Sequence, residues 1–156
     1  MNELVFLRHG HALSAREAGV CCDAERPLSD RGEEEVRLAA ARLREAGFSP
    51  DVIVASPFAR AARTAAIAAS IFPSARLESS AALSDGPVQA ILEMLDSHPE
   101  GSLLVVGHQP LLGAAAGFCL DSAPLDLSPA GFIRIRRDER APKSLLEVYA
   151  PGEKAR

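Results

Sequence analysis

Two histidines and two arginines stand where apolar runs of this sequence end. Arg8 and His9 close the run Leu4, Val5, Phe6 and Leu7, and Gly10 follows them. Ser56-Pro57-Phe58-Ala59-Arg60 closes a second run that begins at Asp51, with Arg63 and Thr64 a turn later. Gly107-His108-Gln109 closes a third that begins at Ser102. A neutral imidazole is a competent nucleophile toward phosphorus and can form a covalent phosphohistidine. The planar fork of arginine matches phosphate oxygens. A protonated His108 would donate to the same oxygens as the phosphoryl group flattens. His9 as nucleophile, with Arg8, Arg60 and His108 around it, therefore describes a pocket for a dianionic phosphate in which arginines replace a metal cation. The acid for the leaving group is less plain. Asp85, in the turn cluster Ser84-Asp85-Gly86-Pro87, is the first candidate and Glu78 the second.

These residues need elements that bring three chain segments together. Residues 4–7, 51–56 and 102–107 are short apolar runs that each contain β-branched residues or an aromatic, the pattern of strands buried on both faces. Open α/β sheets bind their ligands at the carboxyl ends of such strands. Parallel neighbours would thus converge on one edge, and Arg60 would fall in the first turn of a helix whose free amides favour an anion. Helices are expected over residues 58–71, 88–95 and 111–120. Another opens near Ser29 or Asp30, with Glu33 three residues past Asp30, and stops at Gly47. Residues 11–27 lack periodicity and read as a loop or short helix, and 75–78 as a short strand. Phe132-Ile133-Arg134-Ile135-Arg136 alternates apolar and basic, as a strand with one wet face does, and 145–149 can pair with it. The order β-α-β-α-(β)-α-β-α-β-β predicts a three-layer α/β/α sandwich with a mostly parallel central sheet and an antiparallel C-terminal edge.

Length and composition set the frame. At 156 residues, 47% hydrophobic and 24% charged, the chain is expected to form one globular domain over residues 1–156. A formal net charge of -4 gives no general attraction to nucleic acid or anionic lipid, so bound phosphate must be held by a local cluster of cations. The first residues have no signal-peptide pattern, and no apolar stretch is long enough to span a bilayer. A cytoplasmic monomer is expected.

Other reactive side chains have plainer readings. Three cysteines are poor material for a disulfide framework. Cys21 stands five positions before Arg26, one short of the spacing of a cysteine phosphatase loop. His11 alternates with His9 but lacks the carboxylate and third ligand of a metal site. His98, before a proline at a helix end, reads as a surface residue, and Arg63 as solvent-facing or paired with an acid. Glu33, Glu34 and Glu35 suit a helix N-terminus. Ser56 is expected to hydrogen-bond its turn rather than act as a nucleophile.

Arg8-His9-Gly10, then Arg26-Pro27-Leu28-Ser29, then Ser56-Pro57-Phe58-Ala59-Arg60-Ala61, then Gly107-His108-Gln109-Pro110-Leu111-Leu112-Gly113 occur in this order. With these motifs the chain resembles the histidine phosphatase (phosphoglycerate mutase-like) superfamily, and within it the small SixA-type phosphohistidine phosphatases, over residues 3–118. The resemblance implies His9 as the phosphorylated nucleophile, Arg8, Arg60 and His108 as the phosphate pocket, and no cofactor. Many mutases and sugar phosphatases of the superfamily place Glu or Asn soon after Arg-His-Gly and carry an insertion holding a Glu acid. Here His11-Ala12-Leu13-Ser14 follows the motif, and residues 72–102 leave little room for a lid. A bare pocket suits a large phosphorylated partner, or a leaving group that needs little protonation, such as the nitrogen of a phosphohistidine. The expected activity is therefore metal-independent removal of phosphate from phosphohistidine in a protein. The alternatives are a phosphatase for small phosphate esters and a non-catalytic phosphate-binding adaptor.

Overall fold

The computed structural model describes residues 2–138 and 142–152. Strand β1 (Asn2–Arg8) lies inside a six-stranded sheet with β2 (Val52–Ala55), β3 (Arg76–Ser79), β4 (Leu103–Gly107), β5 (Phe132–Arg137) and β6 (Ser144–Tyr149), in the order β3-β2-β4-β1-β5-β6. The first four strands in that order run parallel, β5 pairs antiparallel with β1, and β6 antiparallel with β5. Side chains alternate across a strand, and β1 shows it cleanly. Leu4 and Phe6 join a core with Leu83, Ile91, Leu95, Leu112 and Ala115, whereas Val5 and Leu7 join one with Ala39, Leu43, Ala61 and Ala65. The first core is covered by α4 (Ala82–Asp85), α5 (Val88–Asp96) and α6 (Leu111–Cys119), the second by α2 (Asp30–Glu45) and α3 (Ala59–Ile71). This is the three-layer sandwich that the element order implies.

The register puts the three chemistry-bearing strand ends side by side. Arg8 pairs with Gly107 and Ala55 with Val106. Just beyond the strands, His9 N donates to Gly107 O and Ser56 N donates to Val106 O, both at 3.0 Å. β4 therefore stands between β1 and β2 and carries its own His108 into the gap.

Local departures from the sequence expectation have local causes. Helix α3 starts at Ala59, not at Phe58, because Phe58 is extended (φ -61°, ψ 139°) and its N–H donates to Ser56 Oγ at 3.2 Å. Ser29 caps α2: its Oγ accepts from Gly32 N at 3.0 Å, so Glu33 is free to pair with Arg63. Glu34 and Glu35 likewise pair with Arg37 and Arg31. Residues 11–27 hold a one-turn helix α1 (Ala15–Ala18), capped at both ends by Ser14 and Gly19, and a 3-10 turn over Asp23–Glu25. β3 begins at Arg76. His98 is not a free surface residue, since its Nε2 is 2.8 Å from Glu78 Oε2. Among the described residues, no helix is long and apolar enough to cross a membrane.

Candidate active site

His9 leaves β1 with its side chain nearly enclosed, 9% exposed. The ring Nδ1 lies 2.7 Å from Gly10 O, and a carbonyl can only accept, so Nδ1 carries the hydrogen and Nε2 the lone pair. Arg60 Nε donates to that Nε2 at 3.3 Å. Burial is the largest cause that drives the His9 pKa from 6.5 down to about 4, with His108, Arg60 and Arg8 adding repulsion. A neutral imidazole with its lone pair on Nε2 is the form a nucleophile requires, and a phosphoryl group has to take the place of Arg60 Nε at that lone pair for Nε2 to attack.

The backbone around His9 is braced by close approaches. A Cβ on Gly32 would sit 2.0 Å from His11 O, and one on Gly10 would sit 2.8 Å from Gly32 O. The start of α2 thus lies directly on the Arg-His-Gly turn, and only glycines allow it. From the other side, Gly10 N donates to Thr64 Oγ1 at 3.2 Å, and that hydroxyl donates to Arg60 O at 2.8 Å. His9 O accepts from Ala130 N at 3.1 Å, so the segment after α6 also supports the site.

His108 faces His9, with ring centroids 5.1 Å apart. Its Nε2 is 2.7 Å from Ser56 Oγ, and Phe58 packs edge-on against the ring at 5.1 Å. Burial, then Arg60, pushes the His108 pKa down to about 4. The protonated His108 envisaged from sequence is therefore not the resting form. Cationic His108 needs an anion beside it, because a nearby negative charge is what favours the charged state.

Arg8 Nη1 donates to Leu127 O at 2.9 Å, and burial lowers its pKa, with Arg60 adding to the shift. Arg8 Nε and His108 Nδ1 are both buried with no hydrogen-bond partner among the described residues. An orphaned buried N–H such as that of Arg8 Nε is costly, and an oxyanion is a ligand that satisfies it; His108 Nδ1 becomes a second such donor when the ring is protonated. Arg60 is held more tightly: Nη1 donates to Asp23 O at 2.8 Å and Nη2 to Asp23 Oδ2 at 3.0 Å, while Phe58 lies 5.2 Å from its guanidinium carbon. Three of the five guanidinium N–H groups are then engaged and two remain for a ligand.

The structure thus brings Arg8, His9, Arg60 and His108 together. Asp85 stands exposed at the end of α4, and no hydrogen bond or ion pair among the described residues joins it to those four. Its turn lies near the start of α6, since a Cβ on Gly86 would touch Leu111 at 3.2 Å. Glu78 is occupied by His98 and Arg76. His11 contacts Ser29 Oγ at 2.7 Å. The sequence reading missed Asp23, Thr64 and the orienting role of Ser56. Thr64 sits one turn after Arg60, a spacing visible in sequence, but Asp23 lies in an aperiodic segment with no pattern to mark it.

The model of the histidine phosphatase superfamily, branch 1, matches residues 4–85. The chain belongs to that superfamily. The matched stretch contains Arg8, His9 and Arg60 and ends before His108. An uncharacterized protein of Picosynechococcus sp. is 38% identical over 141 residues, covering 86% of this chain and 84% of the relative. A 2,3-bisphosphoglycerate-dependent phosphoglycerate mutase of Thermobifida fusca is 44% identical over 68 residues, but these are 44% of this chain and 28% of the mutase. Among solved structures, the protein histidine phosphatase SixA complexed with tungstate superposes with a TM-score of 0.81 at 26% identity, over 96% of this chain and 97% of that one. The chain therefore shares only part of its length with the mutase, and nearly all of it with the SixA structure.

Proposed function

We propose that this histidine phosphatase superfamily member removes phosphate from phosphohistidine in a protein partner, by way of a phosphohistidine intermediate on His9. The observation that carries the reading is the His9 tautomer. Nδ1 is committed to Gly10 O, so the lone pair is on Nε2, beside Arg60 Nε. Attack by Nε2 forms an N–P bond while the bond from phosphorus to the substrate breaks with its electron pair on the leaving atom. Arg8 and Arg60 hold equatorial oxygens as charge spreads over them. The incoming dianion also supplies the negative charge that lets His108 take a proton and donate, with Ser56 fixing its ring. Water then attacks phospho-His9, releases inorganic phosphate and returns the imidazole.

The phosphohistidine substrate is favoured over a phosphate ester by what surrounds the leaving group. An alkoxide needs an acid. Asp85 is exposed and, among the described residues, makes no hydrogen bond or ion pair with the four pocket residues, and Glu78 is bound to His98. An imidazole leaves without strong acid help. Asp85 retains a place in the proposal only as a proton donor to oxygen leaving groups. The likeness to a SixA solved with tungstate, an oxyanion, supports the same reading.

The test is hydrolysis of a phosphohistidine-bearing protein, in chelator, by wild type and His9→Ala, beside a generic aryl phosphate. Turnover of the phosphohistidine that vanishes in the variant is expected. Turnover of the aryl ester alone would make this a small-ester phosphatase. Phosphate binding with no turnover of either would make it a recognition domain.

A further inference from the structure

The aperiodic segment before α2 contributes one carboxylate to the site, and the phosphoryl-transfer steps above leave it without a role. Asp23 opens the 3-10 turn over Asp23–Glu25. Its Oδ2 accepts from Arg60 Nη2 at 3.0 Å and its main-chain O from Arg60 Nη1 at 2.8 Å, while Oδ1 accepts from Arg26 Nη1 at 2.9 Å. The same guanidinium touches His9 Nε2 through Nε. Asp23 therefore stands one guanidinium away from the attacking nitrogen. It also acts on His108, whose pKa it raises against the opposing effects of burial and both arginines.

Exposure separates the two partners. The Arg60 side chain is 9% exposed and the Asp23 side chain 59%. Arg60 belongs to the floor of the pocket and Asp23 to its rim. In-line transfer places the leaving group opposite the nucleophile, on the open side. Asp23 is the carboxylate that the described residues place at that rim in contact with the phosphate-binding set. Arg26, then Arg60, hold its pKa below the usual carboxylate range, so it is ionised and cannot serve as the resting acid.

Resting on the phosphohistidine reading, we propose that Asp23 is a specificity-determining residue whose carboxylate accepts the N–H of the leaving imidazole at the ring nitrogen remote from phosphorus. That contact favours the cationic, N-protonated ring. When His9 Nε2 attacks, the Nε2–P bond forms and the substrate's N–P bond breaks with its electron pair on the departing nitrogen. The ring leaves as neutral imidazole, still carrying the proton it brought, and no proton changes hands. A hydrogen-bond acceptor thereby takes the place of the missing acid. An ester oxygen offers this carboxylate no N–H, and a substrate with a second anionic group is repelled by it. The fixed charge at the rim selects by leaving group.

The experiment compares kcat/KM for phosphohistidine and for an aryl phosphate in wild type, Asp23→Asn and Asp23→Glu. Asparagine retains an oxygen for Arg60 Nη2 and leaves the main-chain acceptor intact, so it removes charge while keeping the guanidinium tethered. The ratio of phosphohistidine to aryl phosphate kcat/KM should fall at least tenfold in Asp23→Asn and recover substantially in Asp23→Glu. The alkaline limb of the phosphohistidine pH profile should move about one pH unit lower in Asp23→Asn, since a tenfold weaker preference for the cationic ring is one unit of its pKa. Equal losses on both substrates would reduce Asp23 to a support for Arg60 and overturn the proposal, as would no loss on either. Wild type that fails on phosphohistidine while turning over the aryl ester would overturn the substrate reading and this inference with it. Wild-type turnover with an unchanged ratio in Asp23→Asn would overturn this inference alone.

Discussion

Acidification from pH 7 to 4 should cost the ligand-free protein stability through His9, by an amount the structure bounds. The pKa of His9 falls from 6.5 to about 4 on folding, chiefly through burial. Between those values the unfolded chain binds a proton that the folded chain refuses. The unfolded state thus holds more protons, and stability rises with pH across the window. The contribution is fully present above 6.5 and is lost as pH falls toward 4. A depression of this size corresponds to about 3 kcal/mol, and the 9% exposure of the residue leaves little solvent screening to reduce it. His108 titrates in the same window, but the rings are 5.1 Å apart, so protonating one disfavours the other and the two effects do not add. The assay is urea unfolding of wild type and His9→Asn at pH 7.0, 6.0, 5.0 and 4.5 (conditions spanning roughly the interval between the two pKa values), with the imidazole resonances followed by NMR in parallel. Stability of wild type should fall faster than that of the variant over this range. Excess phosphate should move both histidine titrations upward. A His9 resonance that titrates near 6.5 in the empty pocket would refute the reasoning, because the enclosed neutral ring is what makes Nε2 available.

Two further outcomes follow from the same geometry. Phosphate or vanadate should raise Tm in wild type, with a ligand at 100 times its Kd adding about 2.7 kcal/mol and so roughly 5–10 °C for a domain of this size; Arg60→Ala should lose most of that shift in a thermal melt. Gly32→Ala should destabilise the protein by about 1–3 kcal/mol or more, as overpacking does, despite the better helix propensity of alanine, because its Cβ would meet His11 O at 2.0 Å. Denaturant melts check the stability, and reduced aryl phosphate turnover would report displacement of the Arg-His-Gly turn.

The strands, and the meeting of Arg8, His9, Arg60 and His108 at one sheet edge, are legible because their signals are local. An apolar run that stops at a charged pair marks a strand end, and three such ends in a largely parallel sheet can only meet on one edge. The antiparallel pairing of β5 with β6 is legible as an edge hairpin, but nothing in the sequence shows that β5 lies directly beside β1 and that the segment between α6 and β5 returns to the site. The illegible residues are those whose roles depend on long-range contact. Nothing near Asp23 in sequence announces that it will meet Arg60, 37 positions away. Nor does Ser29-Asp30 reveal which of them caps α2; that is decided by Gly32 seating on His11 O, which fixes the helix start. Asp85 in its turn and Glu78 in its short strand are carboxylates the sequence offers as the acid, yet Asp85 is exposed without a hydrogen bond to the pocket residues among the described residues and Glu78 pairs with His98.

The charges of the site explain why it is built this way. Arg8 and Arg60 repel each other and both histidines, and burial adds to the cost of charge on Arg8 and on either ring. Left alone, such a cluster destabilises the fold, and the protein limits the damage by keeping both rings neutral and giving Arg60 one rim carboxylate. Among the described residues, Arg8 donates from Nη1 to a single carbonyl, and its Nε finds no acceptor. A fully neutralised cluster would be more stable and would bind a dianion poorly, because the ligand would then have to displace internal partners. A cluster with no carboxylate would bind any phosphate regardless of what it is attached to. One ionised Asp23 set against two arginines leaves a net positive floor for the phosphoryl group and a negative rim for the atom that leaves, and that polarity suits a substrate whose ring is cationic while bonded to phosphorus and departs neutral.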